Sequence, residues 1–385
     1  MFQQFISFVR DYYKTEELIP LHAPVFAGNE RRYVMETIDS TFVSSVGAFV
    51  ERFETDMARY TNSPKAVATM NGTAALHIAL RLAGVGQNDL VLTQPLTFVA
   101  TCNAIAYCGA EPVFLDVDRH TMGLSPSAIR TWLESEAQLD AENVCRHKAT
   151  GRAIRACLPM HTFGHPADIN GLVAVCEEWN IVLVEDAAES LGSLYEGRHT
   201  GTFGKLGTLS FNGNKILTTG GGGMILAGDE LGTRAKHITT TAKKPHAFEY
   251  VHDELGFNYR LPNLNAALGC AQLEQLEAFV EEKRALALLY LEQVGNAGFQ
   301  FFQEPEGCRS NYWLNAVVCE DRAMRDAMLN ETNGAGVMTR PIWQLMNRLP
   351  MFSGALTGDL RNAEWLEARV VNVPSSIVAP AKDMA

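Results

Sequence analysis

The chain has 385 residues, room for two to three domains, and its 47% apolar and 20% charged residues are the composition of a soluble globular protein. A formal net charge of -12 and a pI near 5.4 exclude a protein built around nucleic acid or an anionic membrane surface, since either needs a basic face. Any anionic ligand must therefore be met by local groups.

At the N-terminus, MFQQFISFVRDYYK spaces Phe2, Phe5, Ile6 and Val9 for an amphipathic helix and lacks the basic start and long apolar core of a signal peptide. No later segment supplies the roughly 18 uninterrupted apolar residues of a membrane span. The eight cysteines form no C-x-x-C pair, and several, such as Cys157 and Cys319, lie inside apolar runs. They read as reduced, mostly buried thiols, which places the protein in the cytoplasm.

From about Lys65 the chain alternates short apolar runs with helical patterns: AVATM, then GTAALHIALRLAG; DLVLTQP, then FVATCNAIAYCGA; EPVFLDVD, then SPSAIRTWLESE; AIRACLPM, then NGLVAVCEEWN; and IVLVED. Such strands, continuous and apolar, predict a mostly parallel sheet buried on both faces, an α/β fold whose ligands sit beyond the carboxyl ends of the strands. Residues 137–153 break the rhythm and read as an exposed polar excursion. After MILAG and the helix DELGTRAKHI, residues 239–263 form a connection long enough to be functional or interfacial. A continuous helical pattern over 263–294 leads into strands near FQFF and YWLNAVV. The expected division is a large part, 1–270, with a helical N-terminal arm, and a smaller α/β part, 271–385.

Three groups at strand ends invite chemistry. In MNGTAALHIAL, Asn71, Gly72 and Thr73 open a helix; its free N–H groups, a glycine that admits a close backbone approach and a hydroxyl make a phosphate cradle, with ordinary capping as the alternative. At the end of IVLVED stands Asp186, with Glu185 before it and Glu189 in AAES after it; the carboxylate either faces a ligand or caps the next helix. In SFNGNKILTTGGGG, Lys215 sits alone among small polar residues, five positions after Ser210. A free lysine amine is protonated and a poor nucleophile at neutral pH, so Lys215 is either a solvent-facing side chain or an amine held for Schiff-base chemistry.

Other motifs are weaker. His161 and His165 in HTFGH are spaced for a metal on a helix, but Gly164 and Pro166 make this a turn, and no metal site is expected. Neither G-x-G-x-x-G nor G-x-x-x-x-G-K-[ST] occurs, which disfavours a nicotinamide oxidoreductase or a P-loop enzyme. An amine, a phosphate cradle and a carboxylate on one sheet match what pyridoxal 5'-phosphate requires: a lysine for the imine, donors for the phosphate and an acid for the pyridine nitrogen.

The motifs NGTAALHIAL, PLTFVATCNAI, HTFGHPADI, VEDAAESLGS, SFNGNKILTTGGGGMI and GFNYRLPNLNAALGCAQLE, in this order, resemble the DegT/DnrJ/EryC1/StrS family of sugar aminotransferases. The resemblance implies a fold type I pyridoxal-phosphate transferase. Within the family, STFVSSVGAFVERFE, YVHDE and GVMTRPIW resemble the branch that aminates C4 of nucleotide-linked 4-keto-6-deoxy-hexosamines in bacillosamine- or legionaminic-type pathways. Carried over by position, Lys215 matches the lysine that bonds the cofactor and Asp186 the partner of its ring nitrogen. Phe98 matches the aromatic stacked on the ring; Gly72, Thr73 and Ser210 match phosphate ligands. Asn258, in G-x-N-x-R, matches an asparagine supplied by the neighbouring subunit, so a homodimer with shared sites is implied. Glu189 stands where many members have Gln or His, and Asn212 where many have His.

The resulting expectation is a transaminase moving an amino group from L-glutamate to the C4 ketone of a nucleotide-diphospho-4-keto-6-deoxy-2-acetamido sugar, UDP-linked. C3 amination or a GDP-sugar is the alternative within the family. A non-catalytic, cofactor-binding regulatory protein is the alternative of another class, and the presence of both Lys215 and Asp186 weighs against it.

Overall fold

The computed structural model describes residues 2–294 and 299–378; the last positions of the expected second part, 379–385, lie outside the described residues. Eight strands form the central sheet, in the spatial order Lys65–Thr69, Gly223–Ala227, Leu206–Ser210, Val182–Asp186, Ile154–Leu158, Leu90–Thr93, Glu111–Phe114 and Leu356–Thr357. Every adjacent pair is parallel except the two made by Gly223–Ala227, which runs antiparallel to both neighbours. The strands are short and apolar because both faces are covered: all four residues of Leu90–Thr93 and all five of Gly223–Ala227 are buried.

The crossover helices Gly72–Leu82, Val99–Tyr107, Pro126–Glu136 and Ile169–Glu178 cover the sheet. Their starts follow from local chemistry. Asn71 accepts the N–H of Ala74 (2.8 Å), Asp168 accepts that of Gly171 (3.0 Å), and Ser125 caps a helix that begins with Pro126. Helix Gly72–Leu82 is apolar nearly all round because it packs between the sheet and a neighbouring helix. Burying Leu76, Ile78 and Leu80 contributes about 1.5–3 kcal/mol each.

A second, four-stranded antiparallel sheet is ordered Phe299–Phe301, Asn315–Cys319, Val370–Val373 and Arg340–Pro341. Its core includes Phe2 and, from the N-terminal helix Gln3–Tyr13, Phe5, Ile6 and Val9, packed with Tyr290, Phe299, Val317 and Val371. The N-terminal helix and the late strand Val370–Val373 thus share one core, while Leu356–Thr357 returns to the edge of the large sheet.

Two expectations about local structure are corrected. Residues 137–153 carry an antiparallel hairpin, Ala137–Leu139 with Cys145–His147, and not a bare excursion. Ala137, Cys145, His147 and Ala153 are buried and the His147 ring stacks on Trp132 at 5.8 Å, so the polar sequence hides four inward residues. The pattern over 263–294 divides into helices Asn263–Leu273 and Leu276–Val294. The break falls at Glu274 and Gln275, whose side chains bind Tyr33 and Glu30 of helix Glu30–Asp39.

Candidate active site

Three strand ends and one helix start open onto a cavity of about 740 Å³. Asp186 and Ser210 are the last residues of their strands, and Asn71 to Thr73 follow the end of Lys65–Thr69. Ligands of open α/β sheets bind at such places, and Gly72, Thr73, Phe98, Asp186, Glu189, Ser210 and Lys215 all line this cavity. Arg340 and Asn372 of the second sheet, with Trp313 and Trp343 from segments next to its strands, also line the cavity.

The cradle is tight because two backbones approach closely. A methyl group on Gly72 would lie 2.9 Å from Cβ of Ser210, and one on Gly223 would lie 2.5 Å from the main chain of Asn71. Gly223, the last of the four consecutive glycines, therefore lets a strand pass under the start of the helix. Asn71 takes the N–H of Ala74, so the capping alternative holds for its side chain. Gly72 and Thr73 belong to the first turn and have no carbonyl four residues back within the helix to bond. Their N–H groups and the Ser210 hydroxyl suit a phosphate at a helix N-terminus.

Asp186 is buried, 2% exposed, and accepts hydrogen bonds from the Thr101 hydroxyl (2.7 Å) and the Ala188 N–H (3.2 Å). Burial pushes its carboxyl above the usual range, against the hydrogen bonds from Thr101 and Ala188 and the charge of Lys215. Such a carboxylate calls for a cation. Thr101, in the first turn of Val99–Tyr107, was not singled out by sequence reasoning; its one signal was a hydroxyl inside the PLTFVATCNAI motif.

Lys215 has a largely buried side chain, 11% exposed, with Nζ 3.2 Å from Oε1 of Glu189 and 3.9 Å from the centre of the Trp313 ring. It is not a solvent-facing lysine. Glu189 is itself held by the N–H of Phe163 (2.9 Å), and its carboxyl is pushed up by burial against the pull of Lys215. Trp313 was also missed. Its indole N–H donates to the Asn214 carbonyl (2.7 Å), so one ring braces both Lys215 and the loop that carries it. Phe98 occupies the position before helix Val99–Tyr107, without a side-chain cap, and its ring lies half-exposed on the cavity wall, free to stack on a planar ligand.

Glu185 points away from the cavity, into the scaffold. It accepts from the N–H groups of Gly201, Phe203 and Gly204 and from His161, which together overcome burial and keep its carboxyl low. Because His161 Nδ1 accepts the Ala167 N–H, its proton sits on Nε2, facing Glu185. His165 is buried between Phe302 and Tyr312, and burial pushes it down to about 3. The two histidines thus face different surroundings and share no ligand position. Asn258 does not line the cavity. It is exposed, bridged to Thr240 and bonded by the Arg260 guanidinium at 2.9–3.0 Å.

Comparison with known proteins agrees with this geometry. A profile of the DegT/DnrJ/EryC1/StrS aminotransferase family matches residues 25–382. The chain is 35% identical over 358 residues to GDP-perosamine synthase of Escherichia coli O157:H7, covering 93% of each. It is 33% identical over 341 residues to GDP-perosamine synthase of Vibrio cholerae, covering 87% of each. Among solved structures, the aminotransferase TlmJ from Streptoalloteichus hindustanus superposes with a TM-score of 0.84 at 27% identity, over 95% of each chain. The cofactor is pyridoxal 5'-phosphate, and the residues present fit it: a buried amine, a buried carboxylate in want of a cation, and a cradle that a single methyl group on Gly72 would fill.

Proposed function

Because the chain belongs to the DegT/DnrJ/EryC1/StrS aminotransferase family, we propose that it aminates the C4 ketone of a nucleotide-diphospho-4-keto-6-deoxy sugar, taking the amino group from L-glutamate. The observation that carries this reading is the buried Lys215 amine between Glu189 and Trp313, facing Asp186 across one cavity. The relatives' names support GDP as the nucleotide, in place of the UDP and 2-acetamido group that the bacillosamine- and legionaminic-type motifs suggested.

When bound, the cofactor supplies an electron sink that lets the amino group leave the donor and be delivered to the ketone. Lys215 is the residue that would bond it and the base that would move the proton at the reacting carbon. Glu189 and Trp313 hold Nζ of Lys215 toward the cavity. Asp186, oriented by Thr101, keeps the proton on the ring nitrogen. Gly72, Thr73 and Ser210 would hold the phosphate, and Phe98 would lie against the ring. Asn258 completes the phosphate site of a neighbouring subunit, which makes the working unit a cytoplasmic homodimer.

The experiment is a comparison of purified protein on GDP- and UDP-linked 4-keto-6-deoxy sugars, with 2-oxoglutarate release from L-glutamate as the signal. Turnover at least tenfold faster on the GDP-sugar is expected. A preference for the UDP-linked 2-acetamido sugar would return the protein to the branch its motifs resemble.

A further inference from the structure

Four charged side chains line the active-site cavity: Asp186, Glu189, Lys215 and Arg340. Lys215 is engaged with Glu189, which leaves one cation, Arg340, on the wall formed by the second sheet. Arg340 lies on the edge strand Arg340–Pro341, in register with Asn372, another residue of the cavity. Its Nη1 donates to Oδ1 of Asn333 (2.9 Å) and to the Thr339 carbonyl (2.8 Å).

Both acceptors are uncharged, and among the described residues no carboxylate pairs with Arg340. Nearby Arg348, by contrast, is paired with both Glu364 and Glu367. The guanidinium is therefore tethered at one nitrogen while its charge stays unneutralised, and Nε and Nη2 remain as a two-pronged donor face. In a chain of net charge -12 an anionic substrate needs such a local cation. In the proposed function the cofactor's phosphate is met by Gly72, Thr73 and Ser210, which leaves Arg340 for another anion.

We propose that Arg340 is a substrate-binding residue that meets an oxyanion of the substrate, namely the diphosphate of the nucleotide sugar. The carboxylate of the amino donor offers the same chemistry, and the test separates the two. This inference rests on the nucleotide-sugar reading above and names the residue that meets the charged half of that substrate.

The variants are R340Q and R340K in the full-length holoenzyme. The side chain is exposed, so both fold, and a melting temperature near that of wild type checks this. GDP and UDP binding is measured by calorimetry, without sugar or turnover, and the L-glutamate half-reaction is followed separately by the visible absorbance of the cofactor. The expected result is a 10- to 100-fold loss of nucleoside diphosphate affinity in R340Q, with glutamate affinity within about twofold of wild type. R340K should recover only part of the loss, because an ammonium lacks the planar fork. Wild-type nucleotide affinity in R340Q would overturn the inference, and so would a tenfold loss confined to glutamate, which would assign Arg340 to the donor carboxylate. If wild type itself binds neither nucleotide, the nucleotide-sugar reading fails first and takes the inference with it.

Discussion

Asp186 is the residue at which stability and function pull apart. Its pKa is raised by burial, so between its ordinary pKa and the raised value the folded chain binds more protons than the unfolded one. Its contribution to stability falls as pH rises through that window. Burial thus makes the ionised form of Asp186 the costly one in the cofactor-free protein. Asp186→Asn should leave the melting temperature of the apoprotein unchanged or raised, while turnover drops on the order of 10³-fold because the ring nitrogen loses its charge partner. Thermal melts of apoprotein alongside steady-state rates check both halves; activity within about tenfold of wild type would remove Asp186 from the mechanism. For Lys215, borohydride reduction of the holoenzyme followed by peptide mapping should place the cofactor on Lys215, and Lys215→Ala should fold and bind cofactor without turnover. An adduct on Lys205 or Lys243 would contradict the assignment.

At the scale of elements, the cradle is a contact between the start of helix Gly72–Leu82 and the ends of two strands, and two glycines in it should fail in different ways. Gly72→Ala meets the side chain of Ser210 on the ligand side, so the protein should fold and lose cofactor affinity at least tenfold. Gly223→Ala meets the main chain of Asn71 and Gly72 at 2.5–2.7 Å, where nothing can move aside without breaking the pairing with Lys65–Thr69. That variant should be destabilised by several kcal/mol or fail to accumulate, as overpacking against backbone does. Cofactor titration and denaturant melts of the two proteins distinguish these outcomes. The central-sheet strands between Lys65 and Asp186 were legible because each is a continuous apolar run, and three of the four crossover helices open with a capping Asn71, Ser125 or Asp168. Thr101 and Trp313 were not legible as site residues, since what gives them a role is which strand end or lysine they reach across the fold. The hairpin within 137–153 escaped for the same reason: the burial of Cys145 and His147 depends on Trp132, a tertiary neighbour that no period-2 pattern over three residues can reveal.

For the whole molecule, the position of Asn258 bears on assembly. It is exposed and turned from its own chain's cavity, and the same long connection carries Phe248 and Tyr250 at 84% and 81% exposure. In the proposed dimer, with Lys215 from one chain and Asn258 from the other at each site, Lys215→Ala and Asn258→Asp homodimers are both impaired. Refolding the two variants together makes about half the dimers mixed, each with one intact site, so activity should recover to roughly a quarter of wild type. Recovery no greater than the average of the parents, with tagged chains proving that mixed dimers formed, would confine Asn258 to its own chain or to no site. The central claim, that this cavity carries an amino group from a donor to a keto sugar, is tested most directly with ¹⁵N-labelled L-glutamate, pyridoxal 5'-phosphate and a GDP-linked 4-keto-6-deoxy sugar. The account predicts ¹⁵N bonded to C4 of the sugar product by NMR and mass spectrometry with wild type, and none with Lys215→Ala; label at C3, no label, or equal label in the variant would contradict it.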